Sequence, residues 1–98
     1  MTPIRWTESA QADLRAIKAF ISRDSPFYAR RTIERLRKAV NRLGQFPGSG
    51  SRVQEQDLPE LREILVGNYR LIYKFDDRCV LILTVVHAAR QFTDDDDG

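Results

Sequence analysis

The sequence predicts an α+β fold of order β-α-α-β-β-β, with an N-terminal helix hairpin packed on a small, mainly antiparallel four-stranded sheet. Three observations predict it. Residues 8 to 44 carry two apolar stripes at helical spacing, separated by "RDSP". "YRLIYKF" (69–75) alternates as a half-buried strand does. "CVLILTVVH" (79–87) is apolar almost throughout, as in a strand covered on both faces.

Each element has its own signal. "PIRW" (3–6) alternates weakly and reads as a short strand. Thr7 or Ser9 can cap the first helix, whose stripe is Ala10, Leu14, Ile17 and Ile21, widened by Phe20. Ser25 is a good N-cap and Pro26 suits the first helical position. The second stripe is Ala29, Ile33, Leu36, Val40 and Leu43, and Gly44 stands where a helix end favours a left-handed residue. So short a connection makes the helices antiparallel neighbours. Residues 44–60 show no sustained period; Phe46 and Leu58 are expected to tack this loop down, with a helical turn near Asp57 to Leu61.

"LREILV" (61–66) is the next strand, and Gly67-Asn68 a hairpin turn into "YRLIYKF". Asp76 and Asp77 make the following turn. The strands after the helices form a meander whose apolar last member belongs in the centre. The N-terminal strand is left to cover its free edge. The sheet face away from the helices then carries Arg70 and Lys74, with Arg62 as a neighbour.

Composition narrows the function classes. Ninety-eight residues, 42% hydrophobic and 31% charged, make one small soluble domain, placed at 1–93. No apolar stretch reaches the roughly 20 residues of a membrane span. The N-terminus lacks a signal-peptide core. A lone Cys79 in an apolar run fits a reduced, cytoplasmic compartment. One histidine and one cysteine make no metal-ligand set, and "GSGS" leads into no clear helix that would cradle phosphate. No cofactor is expected.

The net charge of +2 is uneven. Asp94, Asp95, Asp96 and Asp97 lie in an acidic tail, 94–98, expected to be disordered. Without these four acids, 16 basic side chains stand against 10 acidic ones, leaving a body of +6. Seven basic residues crowd between Arg23 and Arg42 against Asp24 and Glu34. Such a body fits an acidic partner, protein or nucleic acid, as well as a plain solvated helix face. Arg62, Arg70, Lys74, His87 and Arg90 lie on strands or just past one. Grouped on one face they would bind phosphate or assist phosphodiester cleavage, with arginine meeting developing charge and histidine moving a proton. A solvated or partner-covered face is the alternative.

The ordered set "W…A…DL…I…FI", "A…I…L", "L…FPGSG" and "LREILVGNYRLIYKF…VLILTVVHAARQF" resembles the RelE/ParE superfamily, toxins of bacterial type II toxin–antitoxin modules, from Ile4 to about Phe92. The resemblance implies the same compact fold and a cognate antitoxin of ParD-like or similar type, with a segment that folds on the toxin. RelE-like members cleave messenger RNA on the ribosome; ParE-like members are associated with poisoning DNA gyrase. A RelE-like reading implies Arg62, Arg70, His87 and Arg90 as catalytic residues. Arg70 matches an arginine those enzymes use, and Arg62 one of a basic pair whose second member is apolar here, Ile64 or Leu65. Phe92 cannot exchange a proton where a tyrosine is expected. "HAARQF" is more similar to the ParE-like ending, so the resemblance implies a gyrase-directed toxin, with ribosome-dependent RNA cleavage as the alternative. Antitoxin contacts are expected at Arg31, Arg35, Arg62 and Arg70, and at an unpaired strand edge along "LREILV".

Overall fold

The computed structural model describes residues 1–54 and 57–89. Its elements are β1 (Ile4–Trp6), α1 (Glu8–Ser22), α2 (Pro26–Gln45), β2 (Ser51–Arg52), β3 (Arg62–Val66), β4 (Tyr69–Phe75) and β5 (Val80–His87). A single 3-10 turn, Pro47–Ser49, follows α2. No helix among the described residues is long and apolar enough to cross a membrane.

Both helices start where their caps are. Thr7 Oγ1 accepts a hydrogen bond from Ala10 N–H at 3.0 Å, and Ser25 Oγ accepts one from Tyr28 N–H at 3.1 Å. The apolar stripes turn inward: Ala10 and Leu14 from α1, and Ala29, Leu36, Val40 and Leu43 from α2, are buried. Gly44 departs from expectation. It lies inside α2, and Gly67 is the one described glycine with positive φ. The reason is proximity rather than handedness. Thr2 N–H bonds Gly44 O at 2.8 Å, and a Cβ on Gly44 would stand 3.1 Å from Thr2 O.

Among the described residues the sheet has five strands, in the order β1-β5-β4-β3-β2, not the four expected. The extra strand is the two-residue β2, in which Ser51 and Arg52 pair with Glu63 and Arg62. Two residues have no hydrophobic period, so the sequence carries no signal for it. β1 pairs parallel to β5 and covers its edge as expected, while the other pairings are antiparallel. Gly67, at φ 58°, opens the two-residue turn that sets Val66 against Tyr69.

The helices cover one face, packing on Leu71, Tyr73, Val80, Ile82 and Val85. The other face is not bare. Val53, Leu61 and Ile72 form a second buried cluster there, with Leu58 and Leu83 packed against it. Leu58, as expected, anchors the loop, whereas the helical turn expected near Asp57 to Leu61 is a plain turn closed by Leu61 N–H to Leu58 O. Phe46 does not anchor it and remains 62% exposed.

β5 parts from β1 after Ile82, and α1 replaces the lost pairing. Thr7 Oγ1 donates to Leu83 O at 3.0 Å. Asp13 Oδ2 accepts from Val85 N–H at 3.0 Å and from Thr84 Oγ1 at 2.6 Å. The segment after α2 is fixed by Tyr73, whose hydroxyl donates to Pro47 O at 2.7 Å and accepts from Gly50 N–H at 2.9 Å. Burial raises the Tyr73 phenol above its ordinary pKa, opposed by the Gly50 hydrogen bond and the positive charge of Arg62. It therefore stays protonated as a donor.

This knot generates a stability prediction. A Cβ on Gly50 would stand 2.6 Å from the Tyr73 hydroxyl and 2.7 Å from Glu63 O. Gly50→Ala should destabilise by about 1–3 kcal/mol through overpacking. Tyr73→Phe should cost about 1–3 kcal/mol by leaving two backbone groups without their partner. Urea unfolding of both variants is the check, and a Gly50→Ala chain as stable as the parent would remove the knot from the account.

Candidate functional site

The residues singled out from sequence divide among three places. Arg31 and Arg35 lie on the exposed side of α2 with Lys38 and Arg42, at spacings of four, three and four, opposite the buried stripe. Arg31 stands over the Phe27 ring at 5.7 Å, a cation–π contact that leaves its charge facing solvent. Phe27, Arg30, Arg31, Glu34, Arg35 and Lys38 surround a shallow concavity of about 340 Å³.

The flank of α2 that faces β3 forms a longer groove. Near the helix start, Tyr28, Thr32 and Arg35 face Val66, Gly67, Asn68 and Tyr69 across about 340 Å³. Farther along, Ala39, Arg42, Leu43 and Phe46 face Ile64, Leu65 and Val66 across about 450 Å³. Val66 borders both hollows. β2 pairs with β3 at Arg62 and Glu63, so among the described residues Ile64, Leu65 and Val66 form the free part of that edge. The expected edge along "LREILV" is therefore half closed. Its open half is apolar: Leu65, which the register puts on the Arg70 face, is 67% exposed, and the exposed Phe46 lies on the α2 side.

The strand cations do not assemble as expected. Hairpin register sets Arg62 opposite Tyr73, and Arg70 opposite Leu65. Arg62 and Arg70 thus belong to opposite faces, which corrects the expectation that they are neighbours. Arg62 shares the face of Tyr73 and donates from Nη1 to Gly50 O at 3.3 Å, while its buried Nε has no hydrogen-bond partner. Arg70 is 6% exposed. Its Nε and Nη2 bind the same carboxylate oxygen of Glu63 at 2.8 and 2.6 Å. Lys74 is exposed on the Arg70 face.

His87 ends β5, edge-on to Tyr69 with ring centroids 5.8 Å apart. Its Nδ1 accepts from Ala89 N–H at 3.2 Å, a strand-end hydrogen bond. Arg90, Phe92 and the acidic tail lie outside the described residues. Sequence reasoning missed Glu63. The signal was present, because a two-residue turn at Gly67-Asn68 fixes the register and puts Glu63 diagonally across from Arg70.

This arrangement can receive an extended or helical polypeptide segment: a free strand edge, apolar contacts at Phe46 and Leu65, and a cationic rim. The comparisons with known proteins agree in family. Residues 4–92 match the family described as the ParE toxin of the type II toxin–antitoxin system parDE. Toxin RelE2 of Caulobacter vibrioides is 38% identical over 90 residues, 92% of this chain and 99% of that protein. In fold, the chain is similar to a structure of the chromosomal ParDE system of P. aeruginosa, at a TM-score of 0.73 and 21% identity, covering 89% of this chain and 96% of that one. It is also similar to one of the RelBE2 toxin–antitoxin complex of Mycobacterium tuberculosis, at 0.65 and 24%, covering 88% and 96%. A family match spanning nearly the whole chain, with a relative this similar end to end, means that the chain belongs to the ParE toxin family of type II toxin–antitoxin systems, within the RelE/ParE superfamily.

Proposed function

We propose that this toxin arrests bacterial growth without RNA cleavage, by acting on DNA gyrase, and that a cognate antitoxin of ParD-like or similar type neutralises it in the cytoplasm. The observation that carries the non-nucleolytic reading is the Arg70–Glu63 pair. Of the residues a RelE-like reading implies, Arg70 is the strongest match. Cleavage needs that charge exposed to a phosphodiester, yet it is buried and shared with a carboxylate. Arg62 lies on the other face, so the two do not converge on one phosphate. Gyrase as the target rests on the resemblance to the ParE-like branch and on the parDE family match. The Caulobacter relative bears the name RelE2, which keeps messenger RNA as the competing target.

The antitoxin is assigned to the α2–β3 groove. A segment bearing acidic and apolar side chains fits its chemistry. A strand can add to Ile64–Val66 while apolar side chains cover Phe46 and Leu65. Arg31, Arg35 and Arg42 then meet its carboxylates. Arg62 and Arg70, expected to take part, are held elsewhere by Gly50 and Glu63. Apolar anchors supply residence, and exposed charges speed and orient encounter.

Three predictions follow from these assignments. Induced expression should give a DNA-damage response and trapped gyrase–DNA complexes; rapid loss of translation with codon-positioned messenger cuts would establish the ribonuclease instead. Glu63→Ala, which strands a buried guanidinium, should cost about 3–5 kcal/mol, whereas joint replacement of Glu63 and Arg70 by methionine should restore much of it. The folded double variant should still arrest growth, and a stable but harmless one would return Arg70 to catalysis. Association with the antitoxin should slow about tenfold between about 0.05 and 0.5 M salt while dissociation changes little. A salt-indifferent association rate would remove the cationic rim from the docking surface.

A further inference from the structure

The fold leaves aromatic rings in water at one end of the helix pair. Phe20, near the end of α1, and Phe27 and Tyr28, in the first turn of α2, are all exposed. None belongs to the core, which α2 builds from Ala29, Leu36, Val40 and Leu43. Phe27 and Tyr28 stand edge to face, with ring centroids 5.9 Å apart. Cations surround them. Arg31 stands over the Phe27 ring, and Arg30, Arg35 and Lys38 are exposed around the same concavity. Among the described residues none of these four cations is ion-paired, although Glu34 lies one helical turn from Arg30 and Arg31. The face therefore turns its full charge to solvent.

Rings and cations frame two hollows that share Arg35. Phe27 and Arg31 line one of them. Tyr28, Thr32, Asn68 and Tyr69 line the other. Between them Arg35 reaches the β3–β4 turn, its Nη1 lying 3.5 Å from the point where a Cβ would stand on Gly67. Each hollow thus sets an aromatic ring beside a guanidinium. That combination decides the class of partner. The carboxylates of an acidic peptide use the charges and leave the rings bare. A nucleic-acid strand uses both, with phosphates on the cations and flat bases on the rings. Three of the four cations are arginines, which bind phosphate through two nitrogens and stack on flat rings as lysine does not. Length agrees as well. Arg31 to Lys38 spans about 10 Å of helix at about 1.5 Å per residue. Three stacked nucleotides at about 3.4 Å each cover the same distance. Paired bases hide their faces inside the duplex stack, so the exposed rings select a single strand.

We propose that the first half of α2 binds single-stranded DNA, with phosphates on Arg31, Arg35 and Lys38 and bases against Phe27 and Tyr28. The choice of DNA over RNA rests on the gyrase reading; the choice of a single strand rests on the exposed rings. Arg42 and the free edge at Ile64–Val66 lie farther along the groove and take no part. Arg31 and Arg35 are also the cations assigned to the antitoxin carboxylates. A bound strand and a bound antitoxin therefore exclude each other, and neutralisation acts at the toxin's own contact with nucleic acid.

The test uses the full chain made by cell-free synthesis and a fluorescein-labelled single strand of about 12 deoxynucleotides, read by anisotropy. The dissociation constant should rise about 20-fold between about 0.05 and 0.2 M salt, the slope for three neutralised phosphates on a single strand. Arg31→Ala/Arg35→Ala should cut that rise to about threefold. Phe27→Ala/Tyr28→Ala should weaken binding about tenfold or more and keep the full salt dependence, a split that a purely electrostatic face does not give. Lys74→Ala, on the opposite sheet face, should leave binding unchanged. These side chains are exposed, and equal urea midpoints check that every variant folds. No binding at about 0.05 M salt overturns the proposal. So does an aromatic variant that binds like the parent, or a duplex or an oligo-aspartate of equal charge that binds as tightly. Tighter binding of an RNA strand of the same sequence overturns the assignment to DNA. Binding is measured without gyrase, which keeps the two readings apart. Strand binding by a chain that traps no gyrase–DNA complexes supports this inference and removes the gyrase reading, and trapped complexes without strand binding do the reverse.

Discussion

The unpaired edge of β5 is the constraint from which the rest of the arrangement follows. β5 is the most apolar strand and must be internal, so every backbone group along it needs a partner out of water. β4 supplies one side over the whole length. The other side is served piecemeal: Pro3 O and β1 as far as Ile82, then Thr7, then Asp13 at Val85. Because Thr7 and Asp13 belong to the start of α1, closing this edge also fixes where α1 lies. α2 then packs beside α1, and the 3-10 turn after α2 is held by Tyr73. All of this closes the β1 side of the sheet. The β3 side receives only two residues of β2, and that imbalance leaves the groove.

Under the proposed function, the buried ion pair is what keeps this sheet face from taking a phosphate. An arginine on β4 of this sheet is available to chemistry only when its charge has no resident partner. Here Glu63 supplies one, with both nitrogens on a single carboxylate oxygen. A buried pair of this kind is weak evidence for net stability, since desolvation offsets much of the attraction, but breaking half of it is costly. Under the proposed function the guanidinium is committed to the fold.

Most of the fold was legible because the helices announce themselves by period and cap, and the last two strands by alternation and apolar length. What the sequence hid has specific causes. β2 is too short to show a period. Gly44 carries the same letter whether it ends a helix or admits a neighbouring strand. Phe46 looks like a core anchor because hydrophobicity does not reveal which face a loop presents. The site was less legible than the fold. Listing Arg62 and Arg70 as cations on strands overlooked their parity, although the Gly67-Asn68 turn determines it. The exposure of Arg31 and Arg35 was legible, since a stripe opposite an apolar one faces solvent by geometry. No pattern of charge foretold the groove, which depends on how closely α2 approaches β3.

The free half of the β3 edge is poorly defended against pairing with another strand. Sheet edges are ordinarily protected by charges, proline, bulges or a covering segment. Here Ile64, Leu65 and Val66 present an apolar edge with Leu65 outward, and exposed Phe46 stands across the groove. The charges lie to one side, on α2, where they guide a partner without blocking the strand. A surface that is apolar along its edge and cationic on its rim favours an occupant. Under the proposed function that occupant is the antitoxin segment, to which the exposed backbone offers a template. Neutralisation and protection of the edge then become one requirement, met by one strand addition.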